Sequence, residues 1–155
     1  MDLFQQAADQ MVIYHLRTSW LNIVKLFNER ASQNDGTISM AFVLMAIYEE
    51  DGVPVTKIAP RIGMEPNSLS RTLNSLEEKK AIIRKPAEED QRKVLVVLTE
   101  EGKRLRKIAL RTVFNLEKKI TENLSPDELA IFFKVVDSIS GTIDTFRTEL
   151  AKQSS

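Results

Sequence analysis

The chain contains no cysteine and a single histidine, His15. A disulfide scaffold, a thiolate zinc site and a thiol redox sensor are thereby excluded. Only five glycines are present, none in a G-x-G cluster, so a phosphate-cradling loop is not expected. With no thiol nucleophile and no histidine beside a serine–acid pair, the expectation is a protein that is not an enzyme and carries no cofactor or metal. No apolar run approaches the length of a membrane span. The opening MDLFQQAADQ has no basic start followed by an apolar run. The expectation is a cytoplasmic chain without a signal peptide or a membrane partner.

What is present is ordinary in bulk and uneven in distribution. Of 155 residues, 43% are hydrophobic and 28% charged, and the formal net charge is zero. That is enough chain for one domain with a real core. The basic residues gather in the middle. Lys79, Lys80, Arg84, Lys85, Arg92 and Lys93 follow Lys57, Arg61 and Arg71. The later part carries acids among its lysines, so a basic reader on a neutral scaffold is the natural inference.

Periodicity supplies the elements. Residues 3–30 predict one long helix, with Leu3, Ala7, Met11, Tyr14, Leu16, Trp20, Ile23 and Phe27 at helical spacing. Trp20 and Tyr14 are expected in the core, and His15 is expected packed or half-exposed rather than as a ligand contact. Ser32 to Gly36 is a loop by composition, and Ser39 is a candidate cap for a helix running to about Glu50. A short helix follows over about Val55 to Ile62, although Pro60 lies inside it. Gly63 supplies a turn. Pro66 opens another helix, to about Lys79, that buries Leu69, Leu73 and Leu76.

The period then shortens. Ile82 to Lys85 and Lys93 to Leu98 predict two strands joined by a polar tip from Pro86 to Gln91. Thr99-Glu100-Glu101 starts a helix, and Ser125-Pro126-Asp127-Glu128 combines a cap, a proline at the first position and an acid at the third. In the last helix Leu129, Phe132, Val136, Ile139, Ile143, Phe146 and Leu150 recur at alternating spacings of three and four. This is a heptad seam, and it implies assembly through that helix.

The fold class is therefore mostly α with a small β-hairpin wing: a winged helix-turn-helix core flanked by N- and C-terminal dimerisation helices. The boundaries expected for this single domain, 1–155, are about 1–33 and 103–150 for the dimerisation helices and about 37–99 for the DNA-binding lobe. In such an arrangement the second helix enters the major groove of double-stranded DNA. The candidate contacts are Asn67, Ser68, Ser70, Arg71 and Asn74 on that helix, with Arg92 and Lys93 on the wing. Asparagine can pair with adenine at two points, and arginine with guanine or phosphate. The Glu49-Glu50-Asp51 and Glu88-Glu89-Asp90 runs fit a helix end and a solvated wing tip better than a metal site.

The stretches Val55-Thr56-Lys57-Ile58-Ala59, Ile62-Gly63-Met64 and Ser68-Leu69-Ser70-Arg71-Thr72-Leu73 resemble the helix-turn-helix of MarR-family regulators. Asp90-Gln91-Arg92-Lys93-Val94-Leu95-Val96-Val97-Leu98-Thr99-Glu100-Glu101-Gly102 is similar to that family's wing signature, and Ser125 to Leu129 to the start of its last helix. The resemblance implies a homodimeric transcription regulator, usually a repressor, on a pseudo-palindromic operator. It implies that Arg92 reaches the minor groove and that Asp90 supports the wing. It further implies a small anionic or aromatic ligand whose binding releases the DNA. Two departures stand out: Lys80 occupies a position where the family usually has glycine, and Pro60 interrupts the first helix of the pair. The alternative is a winged helix that docks on protein and leaves DNA alone.

Overall fold

The computed structural model describes residue 4 and residues 7–153. It divides into two compact units, Met1–Thr112 and Val113–Ser155.

The N-terminal segment departs from one continuous helix. A short 3-10 turn at Ala8–Gln10 ends at Met11, whose backbone is extended, and α1 then runs Val12–Ser32. The exposed His15 ring bridges the break, with Nε2 2.8 Å from the Asp9 carbonyl oxygen. Leu3 lies outside the described residues. Of the apolar set expected on this helix, only Phe27 is buried within α1. Trp20, expected in the core, is 48% exposed and lies at 6.2 Å from the Phe42 ring.

Helix α2 spans Ile38–Ala46 and is capped by Thr37 rather than Ser39: the Thr37 hydroxyl accepts from the Met40 amide at 3.3 Å. The Asn28 side chain accepts from the Ile38 amide at 2.9 Å. Two of the amides left without partners at a helix start are thus satisfied from different directions. Beyond α2 the chain turns at Gly52 into β1 (Val53–Pro54), α3 (Val55–Ile62), α4 (Pro66–Glu78), β2 (Ile82–Pro86) and β3 (Val94–Leu98). Helix α5 covers Glu100–Thr121 and α6 covers Pro126–Gln153.

The wing is a three-stranded antiparallel sheet in the order β1-β3-β2, one strand more than the hairpin expected from the sequence. Val53 pairs with Val96, and Ile82 with Leu98. Two residues are too few to carry a period-two signal, so β1 is visible only through its partner. Val43, Ile47, Ile58, Leu73, Leu76, Ile82 and Val96 are all at most 1% exposed and form one core shared by α2, α3, α4 and the sheet. At roughly 1.5–3 kcal/mol per fully buried aliphatic side chain, this cluster dominates the stability of the unit that α2, α3, α4 and the sheet form.

Pro60 does not shorten α3, which runs through it. The proline leaves the Thr56 carbonyl without its helical partner, but both residues are exposed, so water can serve instead. The helix stops at Gly63, whose φ of 62° is the left-handed conformation that glycine adopts without steric cost.

Candidate nucleic-acid interface

Helix α4 starts at Pro66, where a missing N–H costs nothing, and buries Leu69, Leu73 and Leu76 at 3% exposure or less. The same spacing pushes Asn67, Ser68, Ser70, Arg71 and Asn74 to solvent, and all five are exposed. The Arg71 guanidinium makes one long hydrogen bond among the described residues, from Nε to the Asn67 carbonyl oxygen at 3.5 Å. It is therefore available to a base edge or a phosphate.

Asn74 is not equally free. Arg84 Nη2 donates to Asn74 Oδ1 at 2.6 Å and to Glu77 Oε2 at 2.6 Å, while its Nε reaches the same Glu77 oxygen at 3.1 Å. The side-chain hydrogen bond from Arg84 holds the Glu77 carboxyl below its ordinary range. This network ties β2 to the outer face of α4. In the sequence Arg84 stands out only as one of a basic run. The signal that could have found its role is its register. It follows Ile82 by two residues and pairs with the buried Val96, so it lies on the inner face of the strand. A charge at such a position needs a partner close by.

The wing tip is built around Asp90. Its Oδ1 accepts from the Arg92 amide at 3.0 Å, its carbonyl accepts from the Lys93 amide at 2.9 Å, and the Ala87 amide donates to the Lys93 carbonyl at 2.9 Å. A carboxylate accepting from an amide two residues on locks a tight turn and sets the backbone from which Arg92 projects. Arg92, Lys93 and Arg84 line a cleft with Pro54, Val55, Thr56 and Val94, so Arg92 and Lys93, beside an Arg84 whose charge is already met by Glu77, stand at the N-terminus of α3. Both the helix dipole and the cations favour an anion at this point.

The far end of α4 closes in a way that accounts for Lys80. The Lys80 amide donates to the Glu77 carbonyl at 2.8 Å, and the Ala81 amide to the Leu76 carbonyl at 2.9 Å, with Lys80 at φ 56°. This is the left-handed helix ending in which glycine is favoured, here adopted by lysine. The Thr99 hydroxyl donates to the Lys80 carbonyl at 2.6 Å and accepts from the Gly102 amide at 3.1 Å. A β-carbon on Gly102 would lie 1.9 Å from the Ala81 carbonyl oxygen. Only glycine lets α5 start this close to the end of α4. The Thr99 cap is the one its local sequence predicts, whereas its bond to Lys80 and the close approach of Gly102 to Ala81 join elements far apart in sequence.

Next to that junction lies a half-open apolar cleft with a cavity volume of about 60 Å³, lined among others by Phe27, Met40, Leu44, Leu76, Leu105 and Ile108, with Arg30 and Lys79 as its cations. In the C-terminal unit α6 buries none of its residues. Leu129, Val136 and Ile139 are half-buried. Phe132, Ile143 and Phe146 are 52%, 50% and 57% exposed, and Ile131, Phe133 and Val135 add exposed apolar surface beyond the seam. Among the described residues no group of acids and histidines is placed to hold a metal, and no helix is long and apolar enough to cross a membrane.

Residues 37–94, which hold α2 to the start of β3, match the profile of the MarR family. The HTH-type transcriptional regulator SarZ of Staphylococcus epidermidis is 28% identical over 111 residues, 68% of this chain and 75% of SarZ. Among solved structures, a mutant of Escherichia coli MarR complexed with operator DNA is 25% identical with a TM-score of 0.69, covering 90% of this chain and 99% of that one. CouR from Rhodococcus jostii RHA1, bound to p-coumaroyl-CoA, superposes with a TM-score of 0.76 at 22% identity, covering 86% and 94% of the two chains.

Proposed function

We propose that the chain is a MarR-type DNA-binding transcription regulator, as its match to that family over residues 37–94 and its likeness to SarZ support, and that it acts as a homodimeric repressor that reads a pseudo-palindromic operator through α4 and the wing. It is a regulator and not an enzyme. The observation that carries the proposed mode is the polar face of α4. Asn67, Ser68, Ser70 and Arg71 stand exposed opposite a buried leucine stripe, on a helix held at both ends. In a major groove their side chains meet base edges, and Arg92 and Lys93 on the wing reach the adjoining backbone or minor groove. Asp90 supports that wing by fixing its turn. The zero net charge is no obstacle, because the cations are concentrated where the DNA would lie.

Dimerisation is supported by α6. A 28-residue helix with no buried residue and a continuous apolar stripe needs a second surface, and its heptad spacing suits another copy of the same helix. Residues 1–33 and 103–150 would then form the dimerisation scaffold and residues 37–99 the lobe that meets DNA, and a regulator of this kind would work in the cytoplasm, where its DNA lies.

Release by a small anionic or aromatic ligand is supported by the cavity between α1, α2, α4 and α5. Its wall is apolar, with two cations to orient an acid. A ligand that fits one spacing of α5 against α4 better than another shifts the population away from the DNA-binding form. The bound p-coumaroyl-CoA of CouR is a precedent for a ligand of that type on this fold.

The test is fluorescence anisotropy on a labelled duplex from upstream of the protein's own gene, across a salt series, with Arg71→Ala beside the unmodified chain. Tight binding that weakens steeply with salt and fails in the variant supports the reading. Binding that ignores salt and the substitution overturns it and restores the protein-docking alternative.

A further inference from the structure

An asparagine reads adenine at two points only when its carboxamide oxygen and nitrogen both face the base, the oxygen accepting from N6 and the nitrogen donating to N7. The oxygen of Asn74 faces elsewhere. A guanidinium has donors and no acceptor, so the group that Arg84 holds at 2.6 Å has to be the oxygen, with the amide nitrogen on the opposite branch. Arg84 cannot readily turn away to a phosphate, because two of its nitrogens are engaged by Glu77, at 2.6 and 3.1 Å. Its side chain is 29% exposed and its strand is held in register against β3, with Arg84 opposite Val96. The carboxamide is thus fixed from the side of the wing, on the outward stripe that it shares with Asn67 and Arg71.

We propose that Arg84 is a specificity-determining positioning residue, which holds the Asn74 oxygen toward the wing, leaves its amide nitrogen as the group turned to the base, and so selects guanine or thymine over adenine at the base that Asn74 meets. Guanine offers acceptors at O6 and N7 and thymine at O4, whereas adenine loses one of its two bonds to a carboxamide turned this way. Glu77 acts one step further out, by holding the guanidinium in place. The inference rests on α4 lying in the major groove.

The experiment uses the full chain and a randomised duplex pool from which the unmodified protein selects its best sequence. Affinities are then measured by anisotropy for all four bases at each position of that duplex. Asn74→Ala identifies the position it reads as the one where discrimination disappears. At that position the unmodified chain is expected to prefer guanine or thymine. Arg84→Met, which keeps the bulk and removes the donors, is expected to shift the preference toward adenine by on the order of tenfold. In an Asn74→Ala background Arg84→Met should change nothing further there. If Arg84→Met fails to fold by circular dichroism, Arg84→Lys keeps the charge without the fork and should shift the same preference by a smaller factor.

A uniform loss across all sequences, with the salt slope falling by about one and the base ranking intact, overturns the inference and makes Arg84 a phosphate contact. So does an unmodified chain that already prefers adenine at the Asn74 position, or an Asn74→Ala variant that discriminates everywhere as before. Absence of any binding by the unmodified chain overturns the groove reading itself, and this inference with it.

Discussion

The Thr99 hydroxyl donates to the Lys80 carbonyl oxygen at 2.6 Å, joining the residue that ends α4 to the residue that starts α5. The Thr99 amide adds a bond to the Ala81 carbonyl at 3.0 Å, and the absent side chain of Gly102 leaves room for that same carbonyl. Helices α4 and α5 therefore share one clasp. Thr99→Ala removes the hydroxyl bond and the cap together and should cost about 1–2 kcal/mol in urea melts, with Thr99→Ser close to the unmodified chain. Gly102→Ala should cost more, roughly 2–3 kcal/mol, because the new β-carbon meets backbone that cannot rotate away. An unchanged midpoint for Gly102→Ala would mean that the two helix ends are not in contact in solution.

Lys80 holds a left-handed conformation that costs a side-chain-bearing residue about 1 kcal/mol. Lys80→Gly relieves this cost and gives back part of the gain through the greater freedom of glycine in the unfolded chain. The expected net effect is a stabilisation of about 0.5 kcal/mol by denaturant unfolding. A destabilised variant would show that the lysine side chain makes a contribution of its own.

The wing separates two roles. Arg92→Ala should weaken DNA binding and lower the salt slope by about one, as expected for loss of a single phosphate or minor-groove cation. Asp90→Ala leaves the cations in place and loosens the turn that positions them. It should therefore reduce affinity with the slope nearly unchanged. Identical slopes for Arg92→Ala and the unmodified protein would remove Arg92 from the interface.

Ile139→Asp combined with Ile143→Asp places two charges in the apolar seam of α6. Light scattering after gel filtration should report a monomer, or a chain that unfolds, in place of a dimer. A folded dimer of the double variant would show that the seam is not the assembly surface.

The start of α6 should make stability sensitive to acid. The Ser125 amide donates to Glu128 Oε2 at 2.7 Å while the Ser125 hydroxyl accepts from the Glu128 amide at 3.2 Å, a reciprocal cap. The bond from the Ser125 backbone, aided by its side chain, holds the Glu128 carboxyl below its ordinary value of 4.5. A depressed folded-state value contributes stability above the ordinary value, and that stability is lost as pH falls through the folded one. Glu128→Gln keeps an acceptor that does not titrate. Its melting temperature should fall less than that of the unmodified chain between about pH 6 and about pH 3. Parallel pH profiles for the two proteins would show that the cap does not form in solution.

Much of this molecule was legible in the linear order of residues. The leucine stripe of α4, the bounds of α3, the left-handed turn at Gly63, the cap at Ser125 and the heptads of α6 all rest on interactions within a few residues of one another. A local period or dipeptide therefore encodes them. The candidate DNA-contacting residues followed from the same periodicity, because whatever lies opposite a buried stripe is exposed.

Three things came from the tertiary structure alone. Two-residue β1 exists because β3 offers it an edge. The break at Met11 contradicts a continuous first helix, and Trp20 lies half exposed in the single chain, since helical spacing records which residues share a face and not what that face meets. Arg84 and Thr99 acquire their roles from partners on other elements, Asn74 and Glu77 in one case and Lys80 in the other. A hydrogen bond between separate elements depends on how they pack, to a fraction of an ångström. The sequence by itself determined which faces are apolar and which are polar. Only the folded packing decided which polar groups are left free to meet DNA and which are already held by one another.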